Sequence, residues 1–277
     1  MAKEIDVEAV VTAVKQSRKY GDTSEETIRE LAEEAARQYK KPKAAVKAVR
    51  TQLHSIMAPY LGDPDYALEA ARLDEAFAAG DAAQIEAICR DALYAHLSTR
   101  ERLPILTEFY EQIFAVTGPP RSLMDIACGL NPLALRWMGL DLPLDFYAYD
   151  IHEPRIEFIN HYFQLEGLPP LAKVQDVALE PPPERVDVAL FLKEMPRFAR
   201  NYHGRGRPLL AAIRADFLVV SYPSVSTHGG RNLTNRYREF MYQLIAGHDW
   251  PVTELLFDGE LVFVLDKREG EPRIFTE

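Results

Sequence analysis

Apolar side chains recur at helical spacing through the first 114 residues, which turn-forming residues divide into separate helices. Thr23 and Glu26 have the spacing of a capping box that opens one helix. Asp63-Pro64 and Gly80-Asp81 have the residue types that begin and end another. We therefore predict a helical domain over residues 1–94 and a second domain over residues 95–277.

A different pattern follows Thr117-Gly118-Pro119-Pro120, where short apolar runs alternate with helix-length stretches. The runs are Ser122–Ile126, Asp145–Tyr149, Val186–Leu192, Phe217–Ser221 and Leu261–Leu265. Such alternation is typical of an α/β fold with a parallel sheet. Asp258-Gly259 lies between two apolar runs near the end of the chain and predicts an antiparallel hairpin there. This combination is typical of the Rossmann-like, seven-stranded sheet of S-adenosylmethionine (SAM)-dependent methyltransferases, here with an N-terminal helical extension.

Basic side chains are concentrated in one predicted helix, although the chain carries 32 basic and 42 acidic residues, a net charge of −10. Pro42 is suited to the first position of a helix that runs to about Tyr60. Its apolar stripe consists of Val46, Val49, Leu53, Ile56 and Tyr60, and its basic stripe of Lys43, Lys47, Arg50 and His54. A row of cations on a rigid helix matches a nucleic-acid backbone, but it is equally typical of a solvated face.

Composition narrows the class of protein. With 47% apolar and 27% charged residues, the chain can bury a full core. It has two cysteines, Cys89 and Cys128, no apolar run of membrane-spanning length and no metal-ligand spacing of His and Cys. We therefore expect a cytoplasmic monomer without a membrane segment, a disulfide framework or a metal.

Polar residues follow the predicted strands at their carboxyl ends, where open α/β sheets bind ligands. After the first strand comes Asp125-Ile126-Ala127-Cys128-Gly129-Leu130-Asn131-Pro132, in which Gly129 allows a tight turn. Asn131 is expected to cap the next helix, with Pro132 as its first residue. A single glycine is poorly suited to a dinucleotide pyrophosphate.

The other strand ends add carboxylates and a lysine. Asp150-Ile151 ends the second strand, Gln175-Asp176-Val177 the third, and Leu192-Lys193 the fourth. A carboxylate 20–25 residues beyond a glycine turn typically binds ribose hydroxyls, and two polar side chains can hold an adenine edge. Each of these residues alone is also explained as a helix cap or a solvated side chain. Together they favour an adenosine-type ligand.

Several segments resemble the aminoglycoside-resistance 16S rRNA methyltransferases, which methylate N7 of a decoding-site guanine (the guanine 1405 type). The similarity covers nearly the whole chain. The matching segments are Ser17–Tyr20, Lys41–Lys43, Arg50–His54, His96–Leu103, Asp125–Leu135, Asp150–His152, Gln175–Val177, Leu192-Lys193 and Ser221–Pro223.

The resemblance implies a SAM cofactor and a role for each matching residue. Arg102 would pair with the methionine carboxylate, and Ala127 and Gly129 would contact the methionine part. Asp150 would hold the ribose, and Asp176 with Gln175 the adenine. The further cofactor-binding positions are Ile151, Val177 and Leu192. Lys193 and Arg231 would serve the reaction centre.

The resemblance also implies that the partner is 16S rRNA within the 30S subunit. The residues expected to bind RNA are Lys19, Lys41, Lys43, Lys47, Arg50, His54, Arg231 and Tyr237. Several positions depart from the family pattern. Ala199 replaces a glutamate, Leu233 and Asn235 replace a lysine and a methionine, and the Ser-Leu of a target-loop motif is Thr227-His228 here. Two alternatives therefore stay open: a SAM methyltransferase of small molecules, and a SAM- and ribosome-binding homologue with lost or altered activity.

Overall fold

The computed structural model describes residues 5–57, 62–201, 204–226 and 230–268. Its first three helices are α1 (Val7–Lys15), α2 (Glu25–Gln38) and α3 (Pro42–Met57), which form a bundle with a core of its own. Val49 and Leu53 of α3 are buried in this core, as the apolar stripe predicts. Tyr60 lies outside the described residues.

The predicted capping box of α2 is wrong by one residue. Ser24 is the N-cap, and its hydroxyl accepts a hydrogen bond from the backbone N–H of Thr27 at 3.4 Å. Thr23 is fully buried instead, and its hydroxyl donates to the sulfur of Met57. The neighbouring residue caps the helix because Thr23 is used to pack the loop against α3.

Four more helices precede the sheet: α4 (Tyr66–Ala79), α5 (Ala82–Ala95), α6 (Leu97–Arg102) and α7 (Leu106–Thr117). Side chains of α4 and α5, including Leu73 and Ile88, belong to the same apolar core as strand residues. The apolar core of α1–α3 is thus separate from the core that α4 and α5 share with the sheet, and the domain boundary at residue 94 stays a prediction. A 3₁₀ turn that contains Pro104 separates α6 from α7, because proline cannot donate the hydrogen bond of a continuous helix.

The predicted sheet is confirmed, and the described residues place seven strands in it. These are β1 (Ser122–Ile126), β2 (Asp145–Asp150), β3 (Ala172–Val174), β4 (Arg185–Leu192), β5 (Arg214–Pro223), β6 (Val252–Phe257) and β7 (Glu260–Asp266). Their order is β3-β2-β1-β4-β5-β7-β6. The first five are parallel, and β7 pairs antiparallel with both β5 and β6. The turn at Asp258-Gly259 joins β6 to β7, with Gly259 at φ +78°.

The remaining helices connect strands: α8 (Glu153–Leu165), α9 (Met195–Asn201), α10 (Gly206–Ala212) and α11 (Thr234–Leu244). The strand order reverses between β1 and β4, so the carboxyl ends of β1, β2 and β4 border a crevice. Among the described residues, no helix is both long and apolar enough to cross a membrane.

Candidate active site

The turn after β1 is built to approach a ligand closely. Ala127 and Gly129 both have left-handed backbone angles, at φ +52° and +54°. The N–H of Cys128 donates to the carbonyl of Tyr149 at 2.9 Å, and that of Gly129 donates to Asp150 Oδ2 at 3.0 Å. The turn is therefore fixed to the end of β2, next to the carboxylate that the sequence singled out.

Asp150 is held by protein donors on both of its oxygens. Its Oδ1 accepts hydrogen bonds from the N–H of His152 at 3.0 Å and from Arg155 Nη1 at 2.9 Å. Arg155 is itself buried, and its Nη2 donates to Asp63 Oδ1 at 2.9 Å. Asp150 is thus ionically paired and oriented by the fold, so little ordering is left for a ligand to impose.

A narrow pocket lies at the carboxyl ends of the strands, between β1, β2, the segment after β3, and α9. Six of the nine residues predicted to bind a cofactor line it: Ala127, Asp150, Ile151, Gln175, Asp176 and Val177. The N–H of Gln175 donates to the carbonyl of Asp150 at 2.9 Å, which joins two of the predicted strand ends directly. The structure therefore places these strand ends side by side, and their role in cofactor binding stays a prediction.

Sequence reasoning missed the other walls of this pocket. Ile56 and Met57 reach it from the end of α3, and Glu194, Arg197 and Phe198 from α9 and the residue before it. Arg197 Nη1 donates to the carbonyl of Ile56 at 3.1 Å, so α9 is bonded to the helical bundle. The position of Glu194, directly after Lys193 at the end of β4, could have identified it from the sequence. No sequence pattern predicts that residues of α3 contact this pocket.

Glu194 has an unusual acidity. Burial raises the pKa of its carboxyl to about 7, and the charge of Arg197 opposes this rise in part. The two side chains also form an ion pair. A carboxyl group that changes charge near neutral pH therefore lies in the wall of the pocket.

Arg102 lies outside this wall and is fully paired within the protein. Its Nε and Nη2 donate to the two carboxylate oxygens of Glu260 at 3.1 and 2.7 Å, and both side chains are 1% exposed. Its guanidinium also stacks 4.6 Å from the ring centre of Phe109. The bidentate edge expected to meet the methionine carboxylate is thus used on Glu260, and the cofactor role of Arg102 stays a prediction.

The expectation that Asn131 caps a helix is wrong. A 3₁₀ helix spans Asn131–Trp137, and its N-cap is Leu130. Asn131 Oδ1 accepts hydrogen bonds from Arg102 Nη1 at 2.9 Å and from the hydroxyl of Tyr110 at 2.8 Å. Its Nδ2 donates to Asp125 Oδ2 at 2.7 Å, and burial raises the pKa of Asp125 to about 7. The amide is needed to satisfy these buried groups, so it is not available as a cap.

Lys193 meets the same cluster from the end of β4. Its backbone is left-handed, at φ +59°, and its N–H donates to the hydroxyl of Ser221 at 3.0 Å. Its ammonium lies 2.9 Å from Glu101 Oε2 and 3.2 Å from Glu260 Oε2. Burial would raise the pKa of Glu260, but the charges of Arg102 and Lys193 outweigh it and hold that pKa below its ordinary value. Leu192, one residue earlier, is buried in the sheet core.

The residues predicted to hold the target base follow β5. Arg231 is exposed, and its N–H donates to the hydroxyl of Ser226 at 3.1 Å. Tyr237 stacks on Tyr222, with 4.9 Å between ring centres, and is half-buried. Residues 227–229, and the side chain of Ala199, lie outside what the structure describes.

The predicted basic stripe lines an open groove of about 670 Å³ between α1 and α3. Lys43, Lys47, Arg50 and His54 form its charged side, and its floor is apolar: Ala9, Val10, Ala13 and Val46. Lys19 Nζ lies 3.2 Å from His54 Nδ1, at the same groove. Lys41 is exposed directly before α3. The structure therefore places five of the predicted RNA-binding residues on one face.

Comparisons with known proteins show which family the chain belongs to. The chain matches the family model described as ribosomal RNA methyltransferase (FmrO) over residues 16–264. It is 34% identical to a 16S rRNA (guanine(1405)-N(7))-methyltransferase of Frankia casuarinae and 33% identical to one of Micromonospora echinospora. The first match covers 95% of both chains, and the second covers 96% of this chain and 98% of the relative.

Solved structures give the same result. The 16S rRNA methyltransferase RmtF in complex with S-adenosyl-L-homocysteine matches with a TM-score of 0.80 and 29% identity, over 95% of this chain and 99% of that one. The 16S rRNA methylase RmtB matches with a TM-score of 0.77 and 28% identity, over 96% and 100%. Because the family model matches most of this chain, the chain belongs to the FmrO family of ribosomal RNA methyltransferases.

Proposed function

We propose that this protein is a SAM-dependent methyltransferase that modifies N7 of guanine 1405 of 16S rRNA in the 30S subunit, and thereby confers aminoglycoside resistance. The observation that carries the proposal is the strand-end pocket with Asp150 and Asp176, in a chain whose full-length relatives are named for this reaction. A 30S substrate implies that the protein acts in the cytoplasm.

The residues of the pocket fit the adenosine part of SAM. Two buried carboxylates, Asp150 and Asp176, are acceptors suited to ribose hydroxyls and to the exocyclic amino group of adenine. Val177 and Phe198 supply apolar surface for the faces of the base. The left-handed turn at Ala127 and Gly129 would bring the backbone close to the methionine part. Gln175, Ile151 and Leu192 complete the proposed set, with Arg102 at the methionine end.

The reaction demands positioning more than proton transfer. SAM, when bound, supplies a methyl group carried on a sulfonium. Guanine N7 has a free lone pair at neutral pH, so this chain needs no general base and acts by alignment. Lys193 would orient the reacting groups, since its backbone is fixed on Ser221 and its ammonium between Glu101 and Glu260.

The target base has to leave its stack before it can reach the pocket, and flipping is the usual route. Arg231 supplies a cation on the exposed segment before α11, and Tyr237 an aromatic side chain on that helix. We propose both as contacts of the flipped guanine or its strand.

The groove of the helical bundle is the proposed docking surface for the ribosome. Phosphates attract lysine and arginine without regard to sequence, and neutralised phosphates release counterions. The cations concerned are Lys19, Lys41, Lys43, Lys47 and Arg50, with His54 beside Lys19. They lie on the bundle, outside the sheet, so docking and methyl transfer use different parts of the chain.

The direct test incubates purified 30S subunits with the protein and radiolabelled SAM. Methylated N7 is then located by reductive strand cleavage and primer extension. We expect label in 16S rRNA and one new stop at guanine 1405. Binding of SAM and 30S without transfer would identify a homologue that has lost activity, and methylation of small molecules without 30S would identify the other alternative. Either result would overturn the proposal.

A further inference from the structure

The loop before α2 is hydrogen-bonded directly to the segment that follows β2. The N–H of Ser24 donates to the carbonyl of Ile151 at 2.7 Å, and the N–H of Glu153 donates to the carbonyl of Asp22 at 2.9 Å. Lys15 Nζ adds an ion pair with Glu153 at 2.9 Å. These bonds fix the first turn of α2 against the end of β2, so the bundle and the sheet meet at the cofactor pocket.

This placement brings Thr27 into contact with Asp176, one of the predicted cofactor-binding residues. Thr27 is the third residue of α2, 1% exposed, and its hydroxyl donates to Asp176 Oδ2 at 3.0 Å. The other oxygen of Asp176 accepts from the N–H of Ala178 at 3.0 Å. The carboxylate is thus held at one oxygen by its own loop and at the other by a helix that lies 149 residues away in sequence.

We propose that Thr27 is a positioning residue of the SAM site: its hydroxyl orients Asp176 to accept a hydrogen bond from the amino group of adenine. The proposal rests on the proposed function, which assigns Asp176 to adenine. It gives the helical bundle a part in cofactor binding as well as in docking. Ile56 and Met57, which line the same pocket from α3, are consistent with that role.

The physical argument concerns the direction of one carboxylate. A buried carboxylate that loses a donor is free to rotate or to draw in water, and hydrogen bonds to charged groups carry more free energy than neutral ones. Adenine presents an amino donor at position 6, whereas hypoxanthine presents a carbonyl acceptor there, which a carboxylate repels. The ratio of the affinities for the 6-amino and 6-oxo bases therefore measures how well Asp176 is oriented.

The experiment measures the affinities of the full-length protein for S-adenosylhomocysteine and S-inosylhomocysteine by calorimetry, without any activity assay. In Thr27→Val, which keeps the shape and removes the hydroxyl, we expect the preference for the 6-amino ligand to fall about tenfold. Thr27→Ser restores the hydroxyl and should restore the preference. A general loosening of the pocket would instead weaken both ligands equally.

Thr23→Val is the matched control. Thr23 is equally buried and lies in the loop directly before α2, but its hydroxyl donates to the sulfur of Met57 rather than to a carboxylate. We expect this variant to keep the wild-type preference. An unchanged preference in Thr27→Val, or an equal loss in Thr23→Val, would overturn the role of Thr27. Wild-type protein that bound neither ligand would overturn the cofactor assignment itself, and this proposal with it.

Discussion

The groove of the bundle and the pocket at the strand ends both carry charge, but they hold it in opposite ways. In the groove, Lys43, Lys47 and Arg50 are exposed and belong to a stretch without acidic residues. At the strand ends, Asp150 and Glu260 are buried, and each is paired with an arginine. Exposed cations act over a distance and weaken with salt, whereas buried pairs act through fixed geometry and depend little on salt.

The difference shows which part of recognition each region can perform. A groove with an apolar floor and exposed cations can match many backbone positions of a large RNA, and each phosphate contact adds to its affinity. The strand-end groups are held by two or more hydrogen bonds each, as Asp150 is by Gly129, His152 and Arg155. Such groups can discriminate between ligands that differ in a single atom. Three predictions test this contrast.

The largest effect is expected from the buried pair of Arg102 and Glu260. Arg102→Met leaves the carboxylate of Glu260 buried without its main partner, which should cost about 3–5 kcal/mol of unfolding free energy. Arg102→Lys keeps the charge, loses the bidentate geometry, and should fall between wild type and Arg102→Met. Urea denaturation, monitored by circular dichroism, measures the unfolding free energies of the wild type and the two variants.

Arg50→Met is the matched control from the groove. Arg50 is exposed, and its Nη2 donates to the carbonyl of Ala13 at 3.0 Å. Loss of a surface side chain of this kind should change the unfolding free energy by about 0.5 kcal/mol or less. Equal losses in Arg50→Met and Arg102→Met would show that the two regions do not differ in how they hold charge.

The second prediction separates the regions by function. Lys43, Lys47 and Arg50 changed together to glutamate should lower methylation of 30S subunits about a hundredfold at physiological salt, because attraction to several phosphates becomes repulsion. Affinity for S-adenosylhomocysteine should stay within about twofold, since none of the three lines the pocket. The slope of log K against log salt should also become shallower, by about 0.7–0.9 for each lost phosphate contact.

The control for this variant reverses three arginines at the opposite ends of the strands. Arg121, Arg185 and Arg214 are exposed and lie at the amino ends of β1, β4 and β5, away from the crevice. Their change to glutamate alters net charge equally and should leave 30S methylation near the wild-type rate. If both triple variants lose activity alike, net charge rather than the groove governs docking.

The contrast between the regions also explains what the sequence could predict. Sequence patterns identified five of the seven described strands, the hairpin at Asp258-Gly259 and the basic face of α3, because each depends on neighbours in the chain. Position after a strand likewise identified Asp150 and Asp176, since carboxyl ends of parallel strands converge. Local rules therefore predicted the fold and half of the pocket.

The errors arose where distant residues compete for one side chain. Asn131 has the residue type of a cap, but Arg102, Tyr110 and Asp125 use its amide in the buried cluster. Glu260 lies 158 residues from Arg102, and Ile56 reaches the pocket from a helix that the sequence pattern assigns to docking. Pairings of this kind are set by tertiary packing and have no periodic signal.

The smallest effect is expected from Glu194, in the pocket wall. Burial raises the pKa of its carboxyl in the folded protein to about 7, from an ordinary value of 4.5. Between about pH 4.5 and 7 the folded state therefore holds a proton that the unfolded state has released, so this group's contribution to stability falls as pH rises.

Glu194→Gln mimics the protonated form at every pH. It should match wild type at pH 5 and exceed its unfolding free energy at pH 7.5 by about 2 kcal/mol. Asp125, whose pKa is raised in the same way, is present in both proteins and cancels in the difference. Urea titrations at the two pH values measure this, with Glu111→Gln on the exposed face of α7 as the control for loss of a surface carboxyl. Parallel pH dependence in wild type and Glu194→Gln would show that Glu194 is already ionised in the folded pocket, held there by Arg197.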